Sequence, residues 1–494
     1  MNKPTKNGES KTSAGVHNDV KDAGNGRFGN GLVLCKTRAG VKLHGKLIKL
    51  TRLAVAFEIY DPGVALRLSE ILDDFTIFLD DQQAYSGRAV VSNIVQTATL
   101  TMCEAELDEP GVYVGINMPF NGNISFLDAY HSFFGKWQNQ MKVLPEFKMI
   151  VLDIQSYLSD LKLLLEQFEI SIVTHPSRHR SEIEPQIFHD LAPAILSNID
   201  AMHERFEEVA RRVEPELRGP YQALVHRQLH PLFLCAPFGH RTYHKPLGYA
   251  GDYEIMNMIH RNAFEGESLY AKMVHYWLVN QWAAKSVRNR VAHMKTKLLE
   301  ETARVTRQGR VARILNLGCG PAREVQQFIS EHRVADHAEF TLLDFDAETL
   351  NYAVSKLEEI KHAHKRQTQI QSKLMSVTQL VKYIAQPANS PLGTGFDLIY
   401  CGGLFDYLSD QMCRQLVSLF YEWLAPEGLV VVANMNDQQK PFRHMVEFLL
   451  DWHLLYRDAR CMSSFAPEKA DDWSVISEPL AVNLFLEARK LAGN

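Results

Sequence analysis

A multidomain α+β chain is expected: a small antiparallel β-barrel first, an α-helical hairpin in the middle, and an open α/β sheet of seven strands last. Three observations carry that expectation. Residues 32–120 alternate apolar and polar side chains in short runs such as VKLHGKLIKL and LAVAFEIY, the period of half-buried strands. Val151, Ile154, Leu158, Leu161, Leu165, Phe168 and Ile172 then recur at steps of three and four, the period of a helix seam. Beyond residue 306, apolar β-forming runs end on glycine or an acid and give way to helical spacing, the mark of strand–turn–helix units.

Composition narrows the function classes. The 494 residues suffice for two or three domains, and 46% hydrophobic with 22% charged residues is ordinary for globular proteins. A formal net charge of −5 gives no case for nucleic-acid binding. No apolar run approaches a membrane span and no signal-peptide core opens the chain, so an integral membrane segment is not expected and the location is expected to be cytoplasmic. Seven scattered cysteines with no CxxC pair point to reduced thiols, and no metal site is expected.

In chain order, residues 1–31 are rich in Lys, Asn, Gly and Ser and are expected to be a disordered tail. Residues 32–125 follow as the barrel, with turn residues Pro62-Gly63 and Asp80-Asp81 and a short helix expected over Ala65–Leu72. This pattern resembles a PilZ-type barrel, a fold often used to bind cyclic di-GMP. Binders in that family carry Arg-x-x-x-Arg and a later Asp/Asn-x-Ser-x-x-Gly. Here Arg38 is followed by Lys42, and Lys49-Leu-Thr51-Arg-Leu-Ala54 alters every key position of the second motif, so cyclic di-GMP binding is not expected. Residues 137–215 form the helical hairpin, broken over Thr174–Pro185, and the seam at 151–172 is a candidate homodimer contact. Residues 220–305 form a helical lid or substrate region. Its loop Lys245–Glu254 (KPLGYAGDYE) combines Gly248 and Gly251 with Tyr249, Asp252 and Tyr253, a mix suited to closing over a site.

The domain at 306–494 opens on VARILNLGCGPAREVQQFI, which reads as a buried strand, a glycine turn and a helix starting near Pro321. The turn lacks the Gly-Lys-Ser/Thr of a phosphate loop, and Arg323 stands where a dinucleotide fingerprint wants its third glycine. Asp344 ends the next strand, FTLLDF, where a carboxylate can accept both hydroxyls of a ribose. Residues 362–371 are polar and are expected to loop out. FDLIYC, GLVVVANM and two terminal strands near Trp473–Ser477 and Val482–Ala488 fill the sheet, with a helix over Pro441–Tyr456. LNLGCGPA followed by LLDFD resembles the first motifs of class I S-adenosylmethionine-dependent methyltransferases, a Rossmann-like fold.

That resemblance implies S-adenosylmethionine as cofactor. Its contacts would be Asn316, Gly318, Gly320, Asp344, Ser376, Val377, Cys401 and Gly402; Asn316 stands where the family often carries an acid. KPLGYAGDYE, Arg288-Asn289-Arg290, LNLGCGPARE, YCGGLFDYLSD and VEFLLDWHLLYR together resemble bacterial methyltransferases grouped as extracellular-factor, 3-hydroxypalmitic acid methyl ester biosynthesis proteins. The resemblance covers residues 220–494. It implies O-methylation of the carboxylate of a 3-hydroxy fatty acid to a diffusible methyl ester signal. Tyr249, Asp406 and Tyr407 are then candidate catalytic residues, and Asp252, Arg288 and His453 candidate acceptor contacts. No convincing base dyad is visible, and an ionised carboxylate needs none. Two other classes stay open: N- or O-methylation of another small molecule or a protein, and a non-catalytic cofactor-binding scaffold. Base lability of the product separates an ester from a methylated amine, and absence of transfer marks a scaffold.

Overall fold

The computed structural model describes residues 31–492, except 38–39, 51–52, 60–65, 80–81, 97–100, 109–126, 128–129, 132–133, 136–142, 175–179, 215–216, 385–386, 388–389 and 439–441. Residues 1–30 of the tail expected at 1–31, Arg38, Thr51, the Pro62-Gly63 and Asp80-Asp81 turns, and Pro441 lie outside the described residues.

Six strands close into an antiparallel barrel: β1 (Leu32–Thr37), β2 (Lys42–Leu50), β3 (Ala54–Ile59), β4 (Ile71–Leu79), β5 (Gln82–Gln96) and β6 (Thr101–Leu107), in the order β1-β2-β3-β6-β5-β4. Alternate residues point inward, so Val33, Phe57, Phe75 and Ile77 fill the interior with no exposed surface. The helix expected over Ala65–Leu72 is not formed in its described part. Ile71 and Leu72 are wholly buried barrel residues that open β4, and the backbone before them turns.

The hairpin is α1 (Pro145–Thr174) and α2 (Arg180–Ala210), with Pro185 inside α2 rather than ahead of it. The α1 seam is filled from within the chain. Phe147, Val151, Leu158 and Leu165 are fully buried in a core shared with α2, α3 (Arg218–Phe233), α6 (Leu269–Val279) and α12 (Arg443–Leu450). The seam stripe thus has an internal partner, while Leu152, Leu163, Leu164 and Ile170 of the same span 151–172 are exposed.

Between these come α4 (Pro237–His244), α5 (Tyr253–Arg261) and α7 (Trp282–Arg307), which leads into the last domain. There, strands β7 (Ala312–Leu317), β8 (Ala338–Asp344), β9 (Gln369–Leu374), β10 (Phe396–Cys401), β11 (Leu424–Met435), β12 (Asp472–Ser477) and β13 (Asn483–Arg489) form one sheet in the order β12-β13-β11-β10-β7-β8-β9. Strands β7 to β11 run parallel, and β13 is antiparallel to both its neighbours. Helices α8 (Arg323–Glu331), α9 (Ala347–His364), α10 (Val377–Val381) and α11 (Asp410–Trp423) flank it, and α13 (Ala459–Ser463) follows α12. The seven-stranded sheet and the terminal strands are as expected from sequence. The polar stretch 362–371 does not loop out entirely, because Gln369 onward pairs with β8 as an edge strand. The helix expected over Pro441–Tyr456 stops at Leu450, where Asp451 turns left-handed (φ 48°).

The chain runs outward from β7 through β8 to β9, then returns to lay β10 on the other side of β7. This reversal opens a crevice beyond the carboxyl ends of β7 and β10, the place where such sheets bind ligands. No helix among the described residues is long and apolar enough to cross a membrane.

Candidate active site

The bend after β7 is shaped by its glycines. Gly318 and Gly320 have φ of 64° and 51°, and a Cβ on Gly320 would meet nothing within 4 Å. The N–H groups of Gly318 and Cys319 donate to the Leu343 carbonyl (2.8 and 3.1 Å), tying the bend to the end of β8. Helix α8 does not start at Pro321: Ala322 is left-handed (φ 51°) and the helix begins at Arg323. Across the bend, Asp344 accepts from the N–H of Gly320 (3.2 Å) and of Asp346 (3.2 Å), one bond to each oxygen, which leaves lone pairs free on both. Burial raises this carboxyl above its ordinary range, opposed by those N–H groups and by the charge of Arg67.

Asp344 borders a cavity with Phe345, Met375, Val377, Tyr249 and Leu317. Apolar side chains beside a carboxylate and an open glycine bend are what a nucleoside needs: flat surfaces for the base, an acceptor for sugar hydroxyls, and bare backbone for the remainder. Tyr249 packs edge-on against Phe345 (4.8 Å between ring centres) and its hydroxyl pairs with that of Thr349 (3.1 Å). Ser376 does not border the cavity. Its hydroxyl accepts from the Gln379 N–H, closing a capping box on α10, and its neighbours Met375 and Val377 face the space instead. Cys401 is fully buried at the end of β10 and borders neither this cavity nor the next.

A second, larger cavity adjoins the first, sharing Gly251, Gly318, Gly320, Gly403 and Tyr407 as common walls. Its far walls are apolar, from Met256, Ile259, Leu278, Val291, Met294 and Phe442 among others. Its near end is polar. Asn316 donates to Glu324 (3.0 Å), which also accepts from the Tyr400 hydroxyl (2.8 Å). Asp406 accepts from the Met435 N–H (2.7 Å), and Tyr407 accepts from the Trp452 indole (2.9 Å). Burial raises the carboxyls of Glu324 and Asp406 and the phenol of Tyr407. The 405–408 turn is held by Arg457, which donates to the Phe405 carbonyl (2.8 Å) and the Asn434 side chain (2.6 Å).

Three arginines border this cavity: Arg323 donates to Gln326 (2.9 Å), Arg443 pairs with Glu447 (2.7 Å), and the third is Arg290. Its guanidinium lies over Gly402 and Gly403, and a Cβ on Gly403 would stand 3.2 Å from Nη2. It makes no hydrogen bond or ion pair with a described residue, although Glu324 and Asp406 feel its charge. Arg288 points elsewhere: it donates to the carbonyls of Ile259 (3.0 Å) and Val279 (2.8 Å) and braces the ends of α5 and α6. Two residues apart on a helix are about 200° apart around it, so only one of the pair faces the cavity. His453 and Asp252 are also brought elsewhere. His453 lies against the barrel, its Nε2 3.3 Å from Glu106 and its N–H donating to Ser69 (2.6 Å). Asp252 is wholly buried as the cap of α5, accepting from the Glu254 and Ile255 N–H groups and paired with Arg241 (2.9 Å). Among the described residues no cluster of three or more His, Cys, Asp or Glu could hold a metal.

No family model matches the chain, and no curated protein matches its sequence. Solved structures do. A "possible exported protein" from Bordetella parapertussis is 17% identical, with 65% of this chain and 100% of that one aligned at a TM-score of 0.41. The N-methyltransferase NodS from Bradyrhizobium japonicum, bound to S-adenosyl-L-homocysteine, is 16% identical over 40% of this chain and 86% of that one, TM-score 0.27. Magnesium protoporphyrin IX methyltransferase from Synechocystis PCC 6803 is 12% identical over 47% and 93%, TM-score 0.30.

Proposed function

We propose that this chain is an S-adenosylmethionine-dependent methyltransferase that esterifies the carboxylate of a long-chain fatty acid, a 3-hydroxy fatty acid in the reading that the sequence resemblance favours. One observation carries it. A cavity lined by Asp344, Phe345, Met375 and Val377 shares Gly318, Gly403 and Tyr407 as walls with a larger, mostly apolar cavity bordered by Arg290, whose guanidinium has no partner among the described residues.

The residues fit the cofactor. Asp344 has lone pairs free for two sugar hydroxyls, Phe345, Met375 and Val377 offer flat apolar contact to the base, and the space beside Gly320 admits the amino-acid tail. When bound, S-adenosylmethionine supplies a methyl group on a cationic sulfur that leaves with the bonding pair as an oxygen takes the methyl. Arg290 orients the acceptor by pairing with its carboxylate at the shared wall, in the fork geometry that suits a carboxylate. The apolar walls bind the acyl chain and exclude water, which strengthens the ion pair. No proton has to be removed from an ionised carboxylate, so Tyr407 and Asp406 shape the junction rather than act as a base. An unpaired cation also favours an anionic acceptor over an amine.

The test is incubation of the purified chain with methyl-labelled S-adenosylmethionine and 3-hydroxy fatty acids, read by mass spectrometry. A base-labile ester heavier by one methylene unit is expected. Label appearing only in protein or in a base-stable product would refute the acceptor, and no transfer to any acceptor would refute the enzyme.

A further inference from the structure

We propose that the N-terminal barrel completes the nucleoside pocket, and that Arg67 on it is a cofactor-positioning residue acting on Asp344. This assignment rests on the nucleoside reading of that pocket given above. Arg67 and Leu68 lie on the connection between β3 and β4, in the first domain, yet both border the same cavity as Asp344, Met375 and Val377. The guanidinium carbon of Arg67 is 3.4 Å from the ring centre of Phe345, the residue directly after Asp344. Its guanidinium makes no hydrogen bond or ion pair with a described residue.

The connection is held on both sides. Ser69 donates its N–H to the Val91 carbonyl (2.7 Å), and its hydroxyl donates to the His453 carbonyl (3.2 Å) while accepting the His453 N–H (2.6 Å). Ile71 donates its N–H to the Gly248 carbonyl (2.8 Å), at the start of the loop that carries Tyr249. Farther along, Gln222 on α3 bridges Glu106 of the barrel (2.6 Å) and Asp451 (2.7 Å). The barrel is thus seated by buried polar contacts, and Arg67 is fixed against the pocket rather than free to swing in solvent.

The charges around Asp344 single Arg67 out. Tyr249 faces it from the loop before α5, Cys319 from the glycine bend, and Asp346 from its own strand end; Glu70 faces Arg67 from the barrel. Arg67 is the cation among them. A nearly buried carboxylate that must accept two hydroxyls has to stay ionised; the Asp346 and Gly320 N–H groups favour that form, and the nearby positive charge of Arg67 adds to them.

The experiment is calorimetric titration of S-adenosylhomocysteine into the full chain. It compares wild type, Arg67→Ala, Arg67→Lys, Asp344→Asn and the Arg67→Ala/Asp344→Asn double variant, each checked by its melting temperature. Arg67→Ala is expected to weaken binding about tenfold, the loss of a positive charge beside Asp344. Arg67→Lys should recover part of it, and the double variant should bind no more weakly than Asp344→Asn alone. Wild-type affinity in Arg67→Ala, or losses that multiply in the double variant, would overturn the proposal while leaving the nucleoside site in place. If Arg67→Ala unfolds, Arg67→Lys decides, since it keeps the charge: affinity as low as that of Asp344→Asn refutes the role. Absence of binding to the wild type would instead sink the nucleoside site itself.

Discussion

Replacing Arg290 by alanine isolates recognition of the acceptor from recognition of the cofactor. The guanidinium has no partner to lose among the described residues, so its full pairing capacity is available to a carboxylate at the Gly402-Gly403 wall. A charge-assisted hydrogen bond is worth roughly 1.5–3 kcal/mol, which corresponds to about a 10- to 100-fold rise in the KM for the acid. The affinity for S-adenosylhomocysteine should stay within about twofold, because Arg290 borders only the larger cavity. Arg290→Lys should recover part of the loss, keeping charge but not the planar fork. Steady-state methyl transfer at varied acceptor, with calorimetry for the cofactor side, measures both quantities. An unchanged acceptor KM, or a parallel fall in cofactor affinity, would refute the division of labour between the two cavities.

Other outcomes follow from the same geometry. Gly403→Val should act like a mild Arg290 loss, since even a Cβ at that position lies 3.2 Å from Nη2; unaltered acceptor KM would contradict it. Tyr407→Phe should cost less than about tenfold in kcat, because a carboxylate needs no base, whereas a fall of about 10²-fold or more would mean proton removal matters. Glu207→Gln should destabilise the fold by about 2 kcal/mol in denaturant titration, since Glu207 supplies the cap that α12 lacks, accepting from the Met445 N–H (2.8 Å). Burial works against ionisation of Glu207, but the imidazole of His203 (3.4 Å) and the hydrogen-bonded ring of His444 (2.9 Å) hold its carboxyl down at about 2. Its contribution is therefore present above the unfolded value near 4.5 and is lost as pH falls toward about 2, so the gap between wild type and variant should close over that window. A gap that persists at the acid end would contradict that source.

The parts of the site that read from sequence are those whose chemistry is local. A β-forming run ending in Gly318-Cys319-Gly320 fixes a bend, and Asp344 at the next strand end follows from the parallel pairing of β7 with β8. Asp346 and Ser409 are legible as caps because each carboxylate or hydroxyl bonds an N–H three residues on. Arg290 is harder, because its neighbour Arg288 has the same chemistry and helix phase decides between them. Asp252 and His453 mislead for a different reason: polar residues near a site are drawn into ion pairs with Arg241 and Glu106, the latter on the distant barrel. Arg67 has no sequence signal at all. Its role exists only once the barrel is seated on the last domain, and no local pattern encodes that contact.

The most direct test is a crystal structure of the chain grown with S-adenosylhomocysteine. The account predicts the ribose hydroxyls on the two oxygens of Asp344, the adenine between Phe345 and Val377, and the sulfur facing Gly403 and Tyr407. A nucleoside bound elsewhere, or an Asp344 carboxylate turned away from the sugar, would contradict it.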